Sequence, residues 1–268
     1  MEIIKFENCI PNVKKDVLAT DDNCFFTLSR LLEKKCTLTV TDQNRLIICY
    51  SAFPYPVWVW LPKDATEDEM ERAYLEIKSH FGLDRRFRFN ANRPVSEYIL
   101  KRANDEGIPL ALLKPMLAYN CHSPVAPTQA VMGKIKVAGA EDIEDAFQFL
   151  QFFHKNTNFD SSDINANRKK AEDFIANKEF FFWLDSQGEK VACCSCQRSE
   201  KYGILSSVFT RDDKRRMGYA SALIFEACNL ILKEQRIPAI YTDADYPPSN
   251  ACYVALGFEA QGALSTIG

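Results

Sequence analysis

The chain has 268 residues, 47% hydrophobic and 26% charged, with 33 Lys+Arg against 36 Asp+Glu and a formal net charge of −3. That balance suits a folded chain of one to two domains and excludes disordered, collagen-like and fibrous compositions. It also argues against a basic nucleic-acid binder, and no apolar run nears the ~20 residues that span a bilayer.

In chain order, the opening MEIIKFENCIPNVKKD carries acids early and no apolar core before a small-residue cleavage site. It is therefore not read as a secretory signal. Residues 21–34 predict a helix. Residues 36–40 and 46–50 predict strands joined by the polar turn Thr41-Asp42-Gln43-Asn44, and 57–61 a third strand. Thr66 reads as an N-cap with Glu69 completing a capping box, opening a helix to about 81. A strand at 87–89 and a helix at 95–106 follow, the helix stopped by Gly107 and Pro109. A last strand covers 110–117, with Pro115 at odds with its end. The stretch 121–133, CHSPVAPTQAVMG, has two prolines and little periodicity and reads as a linker. The expected domains are 1–122 and 133–268.

Past the linker, 135–138 is a short strand. Residues 141–153 form a helix with Ile143, Ala146, Phe147, Leu150 and Phe153 at helical spacing, and 163–177 a second helix. Strands 180–184 and 191–197 make a hairpin around Ser186-Gln187-Gly188. A strand at 203–210 leads through the polar loop 211–216 into a helix at 216–235, with Ala220, Leu223, Ile224, Ala227 and Ile231 facing a core. Pro238 breaks the chain before a strand at 239–242. Residues 249–256 form a short helix stopped by Gly257, and Phe258 begins the last strand. Such a strand–loop–helix–strand unit favours parallel pairing with a right-handed crossover. Both halves are of mixed α/β character.

The segment that carries chemistry is Val208-Phe209-Thr210-Arg211-Asp212-Asp213-Lys214-Arg215-Arg216-Met217-Gly218-Tyr219-Ala220. It sets a basic, glycine-containing turn between a strand and a helix. Amides at a helix start lack partners and lie at the positive end of the dipole, which makes an anion site. Gly218 lets a ligand approach the backbone, and Arg215 and Arg216 add charge suited to pyrophosphate. A basic loop merely capping a core helix is the plainer alternative. Neither GxxxxGK[ST] nor GxGxxG is present.

About thirty residues on stands Ser249-Asn250-Ala251-x-Tyr253-x-x-x-Gly257-Phe258. Together with Arg215-x-x-Gly218-x-Ala220, it resembles the GNAT superfamily of acyl-coenzyme A-dependent N-acetyltransferases over about residues 133–268. The first segment resembles that family's Q/R-x-x-G-x-G/A pyrophosphate loop, the second its S-N-x-x-x-Y-x-x-x-G-F segment. The resemblance implies an α/β (α+β) fold with a mixed central sheet flanked by helices. It implies that Val208, Phe209 and Thr210 offer backbone groups to the pantetheine arm. The loop Arg215, Arg216, Met217, Gly218, Tyr219 and Ala220 would wrap the pyrophosphate, and Ser221 would add a hydroxyl. Asn250 would bind the pantetheine from the second side, and Tyr253 would lie near the thioester sulfur.

An amine attacking an acetyl carbonyl needs an N–H donor for the oxyanion, here the strand near Val208, and a proton for the departing thiolate. Tyr253 is the general-acid candidate, an amphipathic core tyrosine being the alternative. Glu179, Asp243 and Asp245 are conceivable bases, and none is assigned. The expected function is N-acetyl transfer from acetyl-CoA to a primary amine of a small molecule or peptide. A non-catalytic acyl-CoA-binding module and an acyltransferase for longer donors are the alternatives. No metal, nucleic acid or membrane partner is expected.

Nine of the ten cysteines sit in or beside apolar segments, which reads as a reduced, cytoplasmic chain. The C-x-x-C at Cys193 and Cys196 lacks a second ligand pair for zinc and lies in a strand. His80, His122 and His154 are scattered, with His154 a candidate for an acceptor pocket. The resemblance makes Phe153, Asn156 and Phe159 candidates for substrate contacts. Arg85-Arg86-Phe87-Arg88 reads as a solvated basic edge. Residues 36–81 repeat the order of 180–235, so residues 1–120 are expected to be a degenerate GNAT-like copy without a cofactor loop, packed beside the active domain. An unrelated α/β cap is the rival.

Overall fold

A computed structural model describes residues 2–84, 86–157 and 164–268. Arg85 and Phe159 lie outside the described residues, as does the side chain of Asn156. In chain order the elements are β1 (Ile4–Cys9), α1 (Phe26–Leu32), β2 (Cys36–Thr41), β3 (Ile47–Tyr50), β4 (Val57–Trp60), α2 (Glu67–Phe81), β5 (Phe89–Asn92), α3 (Arg93–Asp105) and β6 (Leu112–Asn120). There follow β7 (Lys134–Val137), α4 (Ile143–Thr157), α5 (Ile164–Ala176), β8 (Phe180–Leu184), β9 (Lys190–Arg198), β10 (Tyr202–Thr210), α6 (Tyr219–Lys233), β11 (Ile237–Asp243), α7 (Pro247–Ala255) and β12 (Glu259–Ile267). Two compact units result. The first holds Met1–Tyr119, Thr242–Pro247 and Ala260–Gly268, the second Asn120–Tyr241 and Pro248–Glu259.

In the first unit the strand order is β1-β2-β3-β4-β5-β12-β6. β1 to β4 are successively antiparallel, β4 and β5 are parallel from Val57↔Phe89, and β12 pairs antiparallel with β5 through Ser265↔Ala91. All four β4 residues are buried, as expected of a strand covered on both faces. α2 begins where the sequence places it. Thr66 accepts from the Glu69 amide, the Glu69 side chain answers to the Thr66 amide, and Gly82 closes the helix at φ 72°. Its buried face of Ala73, Tyr74, Ile77 and Phe81 packs on Val57, Val59, Phe89 and Ile99.

In the second unit the order is β11-β10-β9-β8-β7. β10 and β11 are parallel and the other pairs antiparallel. Phe149 and Leu150 of α4 and Phe174 of α5 meet Phe180, Phe182 and Phe209 in one core. α6 lies close on β10, since a Cβ at Gly203 would stand 2.5 Å from Ile231 Cγ2. The succession of hairpin, strand, helix, parallel strand and helix occurs twice, as β2-β3-β4-α2-β5-α3 and as β8-β9-β10-α6-β11-α7.

Four readings change. β1 is a strand the sequence did not announce, because its side chains are mostly exposed and show no apolar alternation. The helix read at 21–34 is confined to Phe26–Leu32, since the Asp21 carbonyl accepts the Cys24 and Phe25 amides in a turn. Pro238 does not precede β11 but lies inside it, opposite Gly203, and its carbonyl accepts the Cys121 amide at 2.9 Å. Pro115 likewise sits within β6, its carbonyl taking the Ala244 amide.

Candidate functional site

Two parallel strands hold the site in the second unit. The ladder between β10 and β11 runs from Tyr202↔Ile237 to Leu205↔Ile240, yet β10 continues to Thr210 and β11 to Asp243. Beyond Leu205 the two edges are no longer laddered to each other. On its other side β10 shifts register against β9 between Ser206↔Ser195 and Phe209↔Cys193. Ser207 and Val208 thus stand against a single residue, Cys194, with Ser207 at φ 50°. A bulge of this kind frees one backbone group from the ladder and re-aims the strand. Val208 and Thr210 are half-buried. The Phe209 ring is buried in the α4–α5 core, so only its main chain is available to a ligand.

The loop from β10 to α6 turns through two left-handed residues, Arg216 at φ 62° and Gly218 at φ 83°. Gly218 is the N-cap of α6, with no side-chain cap and no acid in the first turn. The amides of Tyr219, Ala220 and Ser221 therefore form a helix start open to an anion. The corresponding start in the first unit is closed: α2 carries the Thr66–Glu69 box and three acids, Glu67, Asp68 and Glu69, in its first turn.

Most of the loop's positive charge is answered by carboxylates. Arg211 pairs with Asp213 and Glu189, Lys214 with Asp185 and Glu189, and Arg215 with Asp212 at 2.7 Å. The Arg215 guanidinium also lies 5.7 Å from the centre of the Phe209 ring. Among the described residues, Arg216 is the loop cation with no carboxylate within ion-pair reach, and both it and Met217 are exposed.

α7 brings the second motif to this loop. Ser221 Oγ and Cys252 Sγ are 3.3 Å apart. Tyr253, one residue on, is buried with only 6% of its surface exposed, edge-on to Phe258 at 5.4 Å. Burial, then the neighbouring thiols of Cys252 and Cys194, hold its phenol well above the usual tyrosine range, against a hydrogen bond with Ser249 that pulls the other way. Asn250 is half-buried on the same helix.

The other sequence candidates are dispersed. Glu179 immediately precedes β8, where its carbonyl accepts the Cys196 amide and its carboxylate the Arg198 amide at 3.2 Å, with β9 between it and β10. Asp243 pairs with Lys114 at 3.5 Å and accepts the Asp245 amide. Burial pushes the His154 imidazole down to about 4, helped by Lys170 and opposed by a hydrogen bond with Asn167. Phe153 is half-buried against the α4–α5 core. Cys193 and Cys196 are buried in β9, their thiols pushed up by burial. An open hollow of about 450 Å³ in the first unit is lined by residues such as Lys14, Gln43, Arg45 and Trp60, and by none from either motif.

Sequence reasoning missed what lies against the motif glycines. A Cβ on Gly218 would stand 3.1 Å from Val131 Cγ1, and one on Gly257 would stand 2.5 Å from the Ser123 carbonyl. Both contacts come from 121–133, and a stretch of low periodicity gives no signal of what it packs on.

Residues 185–265 match the family model described as FR47-like protein. No curated protein matches the sequence. A GCN5-related N-acetyltransferase from Sphaerobacter thermophilus is similar at 12% identity with a TM-score of 0.66, over 99% of this chain and 94% of that one. One from Kribbella flavida is similar at 15% identity with a TM-score of 0.63, over 90% and 92%. A GNAT-family acetyltransferase from Colwellia psychrerythraea is similar at 12% identity with a TM-score of 0.56, over 100% and 98%. These likenesses carry the fold across both halves. In fold the chain is similar to these GNAT N-acetyltransferase structures, and residues 185–265 are similar to the FR47-like family.

Proposed function

We propose that the chain is an acetyl-CoA-dependent N-acetyltransferase acting on a primary amine of a small molecule or peptide by direct attack in a ternary complex. The observation that carries this reading is the uncapped, acid-free helix start at Gly218, set directly behind a strand whose parallel ladder ends at Leu205. Acetyl-CoA, when bound, supplies the acetyl group as an activated thioester. The amides of 216–221 take the diphosphate, with Arg216 as the uncompensated cation beside them. Main-chain groups of Val208 and Thr210 line one side of the pantetheine arm, and Asn250 the other. The bulge at Ser207–Val208 provides the N–H that receives developing negative charge on the carbonyl oxygen.

Tyr253 holds its proton on Oη at neutral pH and gives it, or a hydrogen bond, to the departing sulfur. Its raised pKa makes it a weaker acid but keeps it in the donating form. No residue is assigned as base. Ten free thiols support a reducing, cytoplasmic setting. No described helix is long and apolar enough to cross a membrane.

A panel of amines with acetyl-CoA, followed by released thiol and by the mass of the product, tests the reading. Thiol release matched by an acetylated amine is the expected result. Coenzyme binding without release from any amine would instead favour a non-catalytic acyl-CoA-binding module, a reading that the burial of Tyr253 supports. Competition by longer acyl-CoA donors separates the acetyl reading from a longer-chain acyltransferase.

A further inference from the structure

The segment 121–133, unremarkable in sequence, follows a specific course through the second unit. It is anchored at the start of β11, where the Cys121 amide donates to the Pro238 carbonyl at 2.9 Å. It then crosses the end of α7. The Val125 amide donates to the Leu256 carbonyl at 2.9 Å, and the Ser123 carbonyl and Val125 occupy the space a side chain on Gly257 would need. Next it reaches the loop before α6, where Val131 Cγ1 stands 3.1 Å from the position of a Gly218 Cβ and Gln129 Oε1 3.8 Å from it. It ends at β8, where a Cβ on Gly133 would meet the Leu184 carbonyl at 2.2 Å and Trp183 Nε1 at 2.5 Å. One continuous strap therefore touches both motif glycines, Gly218 of the first and Gly257 of the second.

Those two glycines share a property. Each is left-handed, at φ 83° and 87°, and each leaves room that the strap fills. An L-residue in that conformation costs about 1–2 kcal/mol, so the loop and the α7 turn are held in shapes that suit glycine while the strap closes over them. Val131 is half-buried by this contact, and Gln129 is exposed beside the open amides of α6. The Gln129 side chain ends in a carboxamide, which can turn an N–H toward an anion as readily as a C=O.

We infer that the strap is a third wall of the diphosphate site: Gln129 donates its amide to the coenzyme diphosphate, and Val131 is a positioning residue that fixes the Gly218 turn so that the amides of 219–221 converge. This rests on the reading of 216–221 as the diphosphate loop. It adds a ligand and a support from a segment outside both motifs, and it explains why that stretch lies against both motif glycines.

The test compares coenzyme A with pantetheine, which has the same thiol arm and no diphosphate, by calorimetry on the full-length chain. Wild type, Gln129→Ala and Val131→Gly are titrated with each. The expected result is a fall in coenzyme A affinity of roughly tenfold for Gln129→Ala, the usual weight of a hydrogen bond to a charged group, with a larger fall for Val131→Gly. Pantetheine affinity stays at the wild-type value in both, so the preference for coenzyme A shrinks. A purely structural strap would move both ligands together. Variants that keep the full preference overturn the inference. Gln129 is exposed, so its variant decides the matter even if Val131→Gly fails to fold. A wild-type chain with no preference for coenzyme A over pantetheine would overturn the diphosphate loop itself, a separate and recognisable outcome.

Discussion

Ser221 Oγ and Cys252 Sγ stand 3.3 Å apart, joining the third residue of α6 to the middle of α7. Ser221, which follows the first motif, thus meets a residue of the second, about thirty residues on in the chain. A ligand lying along the open end of α6 must pass close to it. Cys252 is half-buried, Cys9 is exposed and the other eight cysteines are buried. Labelling with N-ethylmaleimide should therefore mark Cys9 first and Cys252 second. Acetyl-CoA, whose thiol is blocked, should slow Cys252 and leave Cys9 unchanged. Equal labelling of Cys252 with and without acetyl-CoA would separate this contact from the coenzyme site.

Gly218→Ala should weaken coenzyme A binding by roughly tenfold. The left-handed turn costs an L-residue about 1–2 kcal/mol, and the new methyl would press on Val131. The loop is a surface turn, so the thermal midpoint should shift by only a few degrees. Calorimetric affinity unchanged from wild type would contradict the loop's role.

Tyr253→Phe should lower kcat by about 10²-fold while KM for acetyl-CoA moves little, because the lost group acts on the leaving sulfur and not on the bound arm. The phenol is held above its ordinary value of about 10, so it stays protonated throughout the working range. An alkaline fall in activity centred below pH 10 should therefore survive the substitution. For folding, a raised tyrosine pKa adds stability that is complete below about pH 10 and is lost as pH rises further, and Tyr253→Phe should remove that alkaline decline in urea melts.

Asp142 supplies an acid-side counterpart. Only 1% of its side chain is exposed. Burial pushes its carboxyl up, but hydrogen bonds from Lys136, at 2.7 Å, and from Lys190, with the Gly139 amide, outweigh burial and bring it to about 2. A depressed carboxyl contributes stability above its unfolded value of about 3.9 and loses it as pH falls toward 2. Urea midpoints should drop over that window. Asp142→Asn should be less stable at pH 6 by about 1–2 kcal/mol, because Lys136 and Lys190 lose this partner but keep Glu141 and Asp145, and should show a shallower drop between pH 4 and 2. Parallel curves for the two proteins would assign the acid loss elsewhere.

Legibility followed local chemistry. The Thr66–Glu69 box, the apolar spacing of Leu223, Ile224, Ala227 and Ile231 in α6 and the turn at Ser186-Gln187-Gly188 are written in nearby residues, and the structure places each where the sequence does, although α6 begins at Tyr219 and not at 216, because Arg216 and Gly218 are left-handed. The motif helix α7 was legible from Asn250, Tyr253 and Gly257. Features that depend on distant partners were not. The bulge at Ser207 needs β9 to define it, and β12 pairs with β5 although more than 160 residues separate them. Arg211 and Lys214 read as free charge because Glu189, which both reach, and Asp185, which Lys214 reaches, come from the turn between β8 and β9. Val131 and Ser123 could not be assigned from their own neighbours at all.

The sealed beginning of α2 sets what it would take for that turn to hold an anion. The reciprocal Thr66–Glu69 bonds and the acids at 67–69 block it on two separate counts, since one set occupies the donors and the other repels phosphate. No single replacement lifts both, and any replacement of Thr66 would lose the cap's contribution of about 1 kcal/mol. An anion site at this turn would therefore have to be built by changing both the box and the acids.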